Sequence, residues 1–280
     1  MTAASEDLAL ALELTDVADQ ITLARFGIGD LAVETKPDMT PVSEADTAVE
    51  QALRARLAQV RPGDAVVGEE YGDAPGSEPG DAVVGEEYGD APGSPAARRW
   101  IIDPIDGTKN YVRGIPVWAT LLALELDGEI AVGVVSAPAL QRRWWASGGQ
   151  GAFASDQRGG DARAMAVSGI TELGDAQLSF SGLEEWDEIG RLDALVSLAR
   201  RCWRTRGYGD FWAYMLVAEG AIEIGVEPAV ELWDLAAPKV IVEEAGGRFT
   251  DLGGESTPAG GDAIATNGLV HDAALAIIGR

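Results

Sequence analysis

Two aspartates, Asp103 and Asp106, close the apolar run at residues 100–102, with Pro104 and Ile105 between them. Trp100, Ile101 and Ile102 have the aromatic and β-branched composition of a buried strand, so Asp103 falls where that strand emerges. Pro104 brings no amide hydrogen to a ladder, and the spacing predicts a turn that gathers the Asp103 carboxylate, the Ile105 carbonyl and the Asp106 carboxylate round one point. A hard divalent cation takes oxygens of this kind. Gly107 and Thr108 come next, at the start of a helix or turn, where backbone N–H groups can receive an anion. The chemistry indicated is a metal ion beside a phosphate group. An isolated pair of this spacing is more often a solvated turn, so the reading depends on partners elsewhere in the chain.

Two such partners exist: the acidic GEE at 68–70, and Trp233-Asp234 opening the stretch WDLAAPKVIVEEAGG. With DPIDGT at 103–108 between them, the chain resembles the inositol monophosphatase family of magnesium-dependent, lithium-sensitive phosphatases, three blocks in family order. The resemblance implies that Glu69 or Glu86, Asp103 and the Ile105 carbonyl hold one Mg²⁺, and that Asp103, Asp106 and Asp234 hold a second, in a site of two or three ions. It places Thr108 and Asp46 where they orient or deprotonate the attacking water. Backbone N–H groups of Gly107 and Thr108 would hold the phosphate, with Asp106 beside it, and Lys36 matches a family lysine. Taken as residues alone, Asp46, Thr108 and Asp234 are each also candidate helix caps, and Lys36 a solvated loop lysine.

The substrate-facing region of the family corresponds to TRGYGDFWAY at 205–214, where inositol phosphatases carry a run of small residues. The aromatic-flanked Gly209-Asp210 is similar to the family's histidinol-phosphate phosphatase branch. Asp210 and Glu227 would then face a cationic amine and imidazole, with Tyr208 or Phe211 as an aromatic wall. The expected reaction is hydrolysis of L-histidinol phosphate, a step of histidine biosynthesis. Inositol-1-phosphatase or broad sugar-phosphatase activity is the alternative enzyme reading, and a catalytically silent metal-binding interaction protein is the alternative from another class.

Residues 62–77 recur unchanged at 79–94. Two copies do not make a repeat architecture. Each contains AVVGEE, so the glutamate ligand is offered twice. Glu69 keeps a short connection to the preceding helix and Glu86 a short connection to Asp103; loop entropy separates them little, because closure cost grows only with the logarithm of length. Glu69 is preferred, since the segment after GEE can lengthen outward without disturbing that helix.

The elements that must carry these groups can be read along the chain. An amphipathic helix starts near Ser5, and a short strand and polar loop over 31–46 lead to a helix ending near Val60. Residues 117–153 read as an antiparallel sheet with a tight turn at Asp127-Gly128. The second half alternates strands near 176–181, 203–206 and 222–227 with helices near 188–200, 210–219, 233–245 and 270–278. Two halves, 1–160 (α+β) and 161–280 (α/β), are expected, and the resemblance implies the layered α-β-α-β-α sandwich of the sugar phosphatases.

The 280 residues carry a net charge of −25, which disfavours nucleic acid or an anionic membrane as partner and favours divalent cations. Cys202 is the only cysteine and His271 the only histidine, so neither an internal disulfide nor a histidine-based zinc site is expected. The acidic N-terminus does not read as a signal peptide, and no apolar run approaches the roughly 18 residues of a membrane span. A cytoplasmic protein is expected, and family relatives imply a homodimer.

Overall fold

The computed structural model describes residues 3–27, 33–35, 41–74, 97–156 and 160–279; Lys36 and Glu86 lie outside the described residues. The chain divides into two compact units, Met1–Arg143 with Ser155–Asp161, and Trp144–Ala154 with Ala162–Arg280. No helix among the described residues is long and apolar enough to cross a membrane.

The first unit runs α1 (Ala3–Arg25), β1 (Val33–Thr35), β2 (Pro41–Ser43), α2 (Glu44–Val60), β3 (Ala65–Gly68), β4 (Gly72–Ala74), β5 (Arg98–Asp106), α3 (Thr108–Val112), β6 (Ala119–Leu126) and β7 (Glu129–Ala137). Its main sheet has the order β7-β6-β5-β3-β4, with β3 parallel to β5 and the other neighbours antiparallel. The β6–β7 hairpin closes at Asp127 and Gly128, both with positive φ, as the dipeptide leads one to expect. Helix α1 packs on β6 and β7, and α2 on α1 and β5. The buried stripe of α1, Leu10, Ala11, Leu14 and Ala18, has helical spacing. Two buried acids extend it, each matched by arginine: Asp7 accepts from Arg98 (2.8 Å) and Arg61 (3.1 Å), and Asp19 from Arg143 (2.6 Å) and Ser136 (2.8 Å). Buried carboxylates persist where such donors meet them.

The second unit takes up the chain with β8 (Arg142–Ser147, belonging here from Trp144), β9 (Ala152–Ser155) and β10 (Arg163–Ala164). There follow β11 (Gln177–Phe180), α4 (Leu183–Glu188), α5 (Leu192–Ala199), β12 (Arg204–Arg206), α6 (Asp210–Ala218), β13 (Ile224–Glu227), α7 (Leu232–Glu244), β14 (Arg248–Thr250), β15 (Ala263–Thr266) and α8 (His271–Ile278). Strand order is β12-β11-β13-β15-β14, parallel across β12, β11 and β13, and antiparallel beyond. The period of two along β13 divides its residues between two environments. Ile224 and Val226 enter a core with Leu178, Trp186, Leu195, Ile264 and Ala274, whereas Gly225 lies against Ala213 of α6 and Glu227 reaches Tyr214 of the same helix.

The helix expected over 188–200 is α5 alone, and a separate short helix, α4, precedes it. Gly190 has φ of 70° and ends α4, with the Arg191 amide returning to the Trp186 carbonyl (2.8 Å). Strands β14 and β15 have no counterpart in the sequence reading.

His271 is wholly buried, its two ring nitrogens 3.0 and 3.1 Å from the hydroxyls of Thr266 and Thr250. Burial, aided by Arg248, pushes its pKa down from 6.5 to about 4. The unfolded chain therefore binds this proton more readily than the fold does, and its contribution falls away as pH drops from 6.5 through about 4. In urea titrations, wild type should lose up to about 3 kcal/mol relative to His271→Gln over that interval. Parallel pH profiles for the two proteins would contradict this.

Candidate active site

Strand β5 carries the two aspartates of the central motif. The turn expected at Pro104 is instead a bulge inside a strand that continues to Asp106: Asp103 pairs with Leu121 and Asp106 with Ala119, so two β5 residues oppose the single Thr120. Proline offers no donor there, and its carbonyl accepts the Thr120 hydroxyl (2.8 Å). Residues three apart on a regular strand face opposite ways; one bulged residue restores the same side. Asp103 and Asp106 accordingly present carboxylate oxygens within 4.8 Å of each other. Asp103 is 1% exposed and Asp106 half-buried.

Gly107 then takes φ of 81° and begins α3. The turn brings the Thr108 hydroxyl to the Ile105 carbonyl (2.8 Å) and to Asp46 Oδ1 (3.3 Å). Asp46 sits third in α2 and closes a capping box: its Oδ2 accepts the Ser43 amide (2.8 Å) and hydroxyl (2.5 Å). The capping and catalytic readings of Asp46 are therefore compatible, one oxygen serving each. Burial raises its pKa from 3.8 to about 6; the Ser43 hydrogen bonds oppose the rise and the Glu69 carboxylate adds to it. Glu69 follows β3, its amide on the Ile102 carbonyl (3.2 Å). The described strand beside β5 is thus that of the first sequence copy.

In the second unit Asp234 occupies the same helical position as Asp46 does in its own helix. It is third in α7, and its Oδ2 accepts the Glu231 amide (2.7 Å) in a second capping box. Asp210 opens α6 with φ of 49°, which aspartate tolerates better than most residues, directly after Gly209 at φ 69° and ψ 168°, a conformation open to glycine. Glu227, at the end of β13, is buried and accepts the Tyr214 hydroxyl at 2.6 Å. Burial first and Asp210 second raise its pKa from 4.5 to about 8, with Asp234 and Glu185 adding and the Tyr214 bond opposing. Asp210, Glu227 and Asp234 thus share one electrostatic neighbourhood that favours a cation.

Of the two aromatic residues considered for a substrate wall, Phe211 is buried against Trp144 and belongs to the core. Tyr208 is half-buried, edge-on to Trp212. Cys202 is half-buried and its thiol is pushed up to about 11 by burial, an inert group. Tyr214, Ser43 and Glu50 were not singled out by the motifs. Helical spacing could have found them: Tyr214 lies four residues after Asp210, Glu50 four after Asp46, and Ser43-x-x-Asp46 is a capping pattern.

A family model, described as the inositol monophosphatase family, matches residues 4–278. The chain belongs to the inositol monophosphatase family. It is 53% identical over 270 residues to a histidinol-phosphatase of Mycobacterium tuberculosis, covering 96% of each chain. It is 50% identical over 279 residues to a histidinol-phosphatase of Streptomyces coelicolor, covering 98% of this chain and 97% of the relative. Among solved structures, the IMPase of Thermotoga maritima superposes with a TM-score of 0.80 at 27% identity, covering 98% of this chain and 96% of its own. The likeness to this solved structure bears out the fold class that the resemblance implied, and family membership makes the protein a phosphoric monoester hydrolase of a metal-dependent kind.

The Tyr214 hydroxyl favours ionised Glu227. In metal-free protein, Tyr214→Phe should raise the Glu227 titration above about 8, followed by carboxyl carbon NMR on labelled glutamate. An unchanged or lower midpoint would show that the bond does not govern this carboxyl.

Proposed function

We propose that the protein hydrolyses L-histidinol phosphate to L-histidinol and inorganic phosphate, with Mg²⁺ as cofactor. The observation that carries the substrate is the identity of 53% and 50% with two histidinol-phosphatases over nearly the whole chain. Asp210 and Glu227 support it, because a protonated amine beside them meets a carboxylate pair already short of positive charge.

The donor set fits a hard cation: carboxylates from Glu69, Asp103, Asp106 and Asp234 and the Ile105 carbonyl, with no thiolate and no imidazole among them. When bound, Mg²⁺ supplies charge neutralisation for the ester and acidifies water. Thr108 holds its hydroxyl between the Ile105 carbonyl and Asp46, which orients the group that would hold the attacking water. Asp46, with a pKa near 6, is ionised at neutral pH yet basic enough to take the water's proton. Backbone N–H groups of Gly107 and Thr108, with Asp106 alongside, receive the phosphate, and Tyr214 keeps Glu227 directed at the amine. The same family reading supports a homodimer.

Phosphate release should be measured on histidinol phosphate, inositol 1-phosphate and fructose 1,6-bisphosphate, with and without Mg²⁺. Histidinol phosphate should lead the panel and depend on Mg²⁺; preference for the inositol ester would overturn the substrate, and no turnover of any ester by folded protein would favour a silent binder. Asp103→Asn should cost on the order of 10³-fold in kcat with the fold retained. Glu69→Gln should cost a comparable amount and Glu86→Gln little; the reverse pattern would assign the ligand to the second copy.

A further inference from the structure

Glu50 lies fully buried one helical turn beyond Asp46 on α2. Its carboxylate is turned on the backbone that follows β3. Oε2 accepts the Glu70 amide at 2.8 Å, and Oε1 accepts the Tyr71 amide at 3.2 Å and Arg54 Nε at 2.8 Å. Arg54 in turn donates to the Val66 carbonyl (3.3 Å) and to the Gly72 carbonyl, on either side of the same turn. Gly68 makes the approach possible: a Cβ there would stand 2.2 Å from Glu50 Oε1. The residue enclosed by these contacts is Glu69, whose own amide is tied to Ile102 of β5 (3.2 Å).

We propose that Glu50 is the positioning residue for Glu69, holding the backbone on its C-terminal side so that its carboxylate stays directed at the metal site; this rests on the reading of Glu69 as a metal ligand. A turn needing only burial would be served by an apolar side chain, since an ionised carboxylate in the interior is costly unless it is met by donors. Here two consecutive amides and a guanidinium meet it. Glu50 shares its helix face with Asp46, four residues earlier, so one rigid element sets both the carboxyl facing Thr108 and the turn carrying Glu69. The turn amides select a carboxylate specifically: a glutamine keeps one oxygen acceptor and places an N–H₂ donor against the other amide.

The test uses the full chain carrying Glu86→Gln, so that the second copy's glutamate contributes nothing, and compares Glu69→Gln, Glu50→Gln and Gly68→Ala. Mg²⁺ affinity is read by calorimetry, the Mg²⁺ dependence of histidinol phosphate hydrolysis by phosphate release, and folding by circular dichroism and melting. Glu50→Gln and Gly68→Ala should fold, bind Mg²⁺ about 10- to 100-fold more weakly, and recover most of kcat at saturating Mg²⁺. Gly68→Ala displaces Glu50 without changing any charge, so its loss would identify geometry as the cause, and it stands in if Glu50→Gln does not fold. Lowered melting temperatures with parental Mg²⁺ affinity, while Glu69→Gln is impaired, would overturn the proposal and leave Glu50 a structural residue. Undiminished Mg²⁺ affinity in Glu69→Gln would instead remove Glu69 as ligand, and the positioning role with it.

Discussion

The absence of one amide hydrogen at Pro104 governs the geometry of the first unit's site. A strand that cannot donate at that point either stops or bulges, and β5 bulges because its flanks are anchored on both sides, to β3 and to β6. The bulge converts a separation of three residues from opposite faces to a shared one. Everything downstream inherits that phase: the left-handed Gly107, the short α3, and the Thr108 hydroxyl lying over the Ile105 carbonyl. A regular strand of the same composition would turn one of the two aspartates to the sheet's other face.

Charge is managed by distribution. The chain carries a large excess of acid, yet three buried carboxylates of the first unit are answered locally, Asp7 and Asp19 by arginines and Glu50 by Arg54 and two amides. In the second unit Glu227 is treated differently: it has one hydroxyl donor and several acidic neighbours, and its pKa rises to about 8. The contrast separates carboxylates met by local donors from one poised to accept a positive partner. Asp46 stands between the two kinds, satisfied on one oxygen by its cap and turned toward chemistry on the other.

Most of the elements were legible in the sequence because their signals are local. The tight turn at Asp127-Gly128, the period of the helices and the apolar lead-in to Asp103 all declare themselves within a few residues. What escaped depends on pairing at a distance. Strands β14 and β15 are short, β15 finding its place against β13 and β14 only against β15, and the helix break at Gly190 is one glycine in an otherwise continuous pattern. Pro104 reads as a turn because proline excludes a ladder bond; the ladder's ability to absorb it by a bulge is a property of the neighbouring strand. Phe211, beside Asp210, reads as an alternative to Tyr208 for the substrate's aromatic wall, but a helix starting at Asp210 turns it into the core. The duplication leaves its mark differently, since two identical segments have identical local signals and no propensity argument can rank them.

Asp46 and Asp234 each occupy the third position of a helix and close a capping box there. On the proposed function each then serves twice, once at its helix end and once in the site. Selection acting on such a residue is asymmetric. Alanine forfeits both roles, whereas asparagine retains one oxygen for the backbone amide and gives up the charge and the second acceptor, which becomes an N–H₂ donor. A lineage of this family that abandoned hydrolysis would thus have an inexpensive route open, leaving helices and melting behaviour almost untouched, and its history would be written as aspartate-to-asparagine changes at two helix starts.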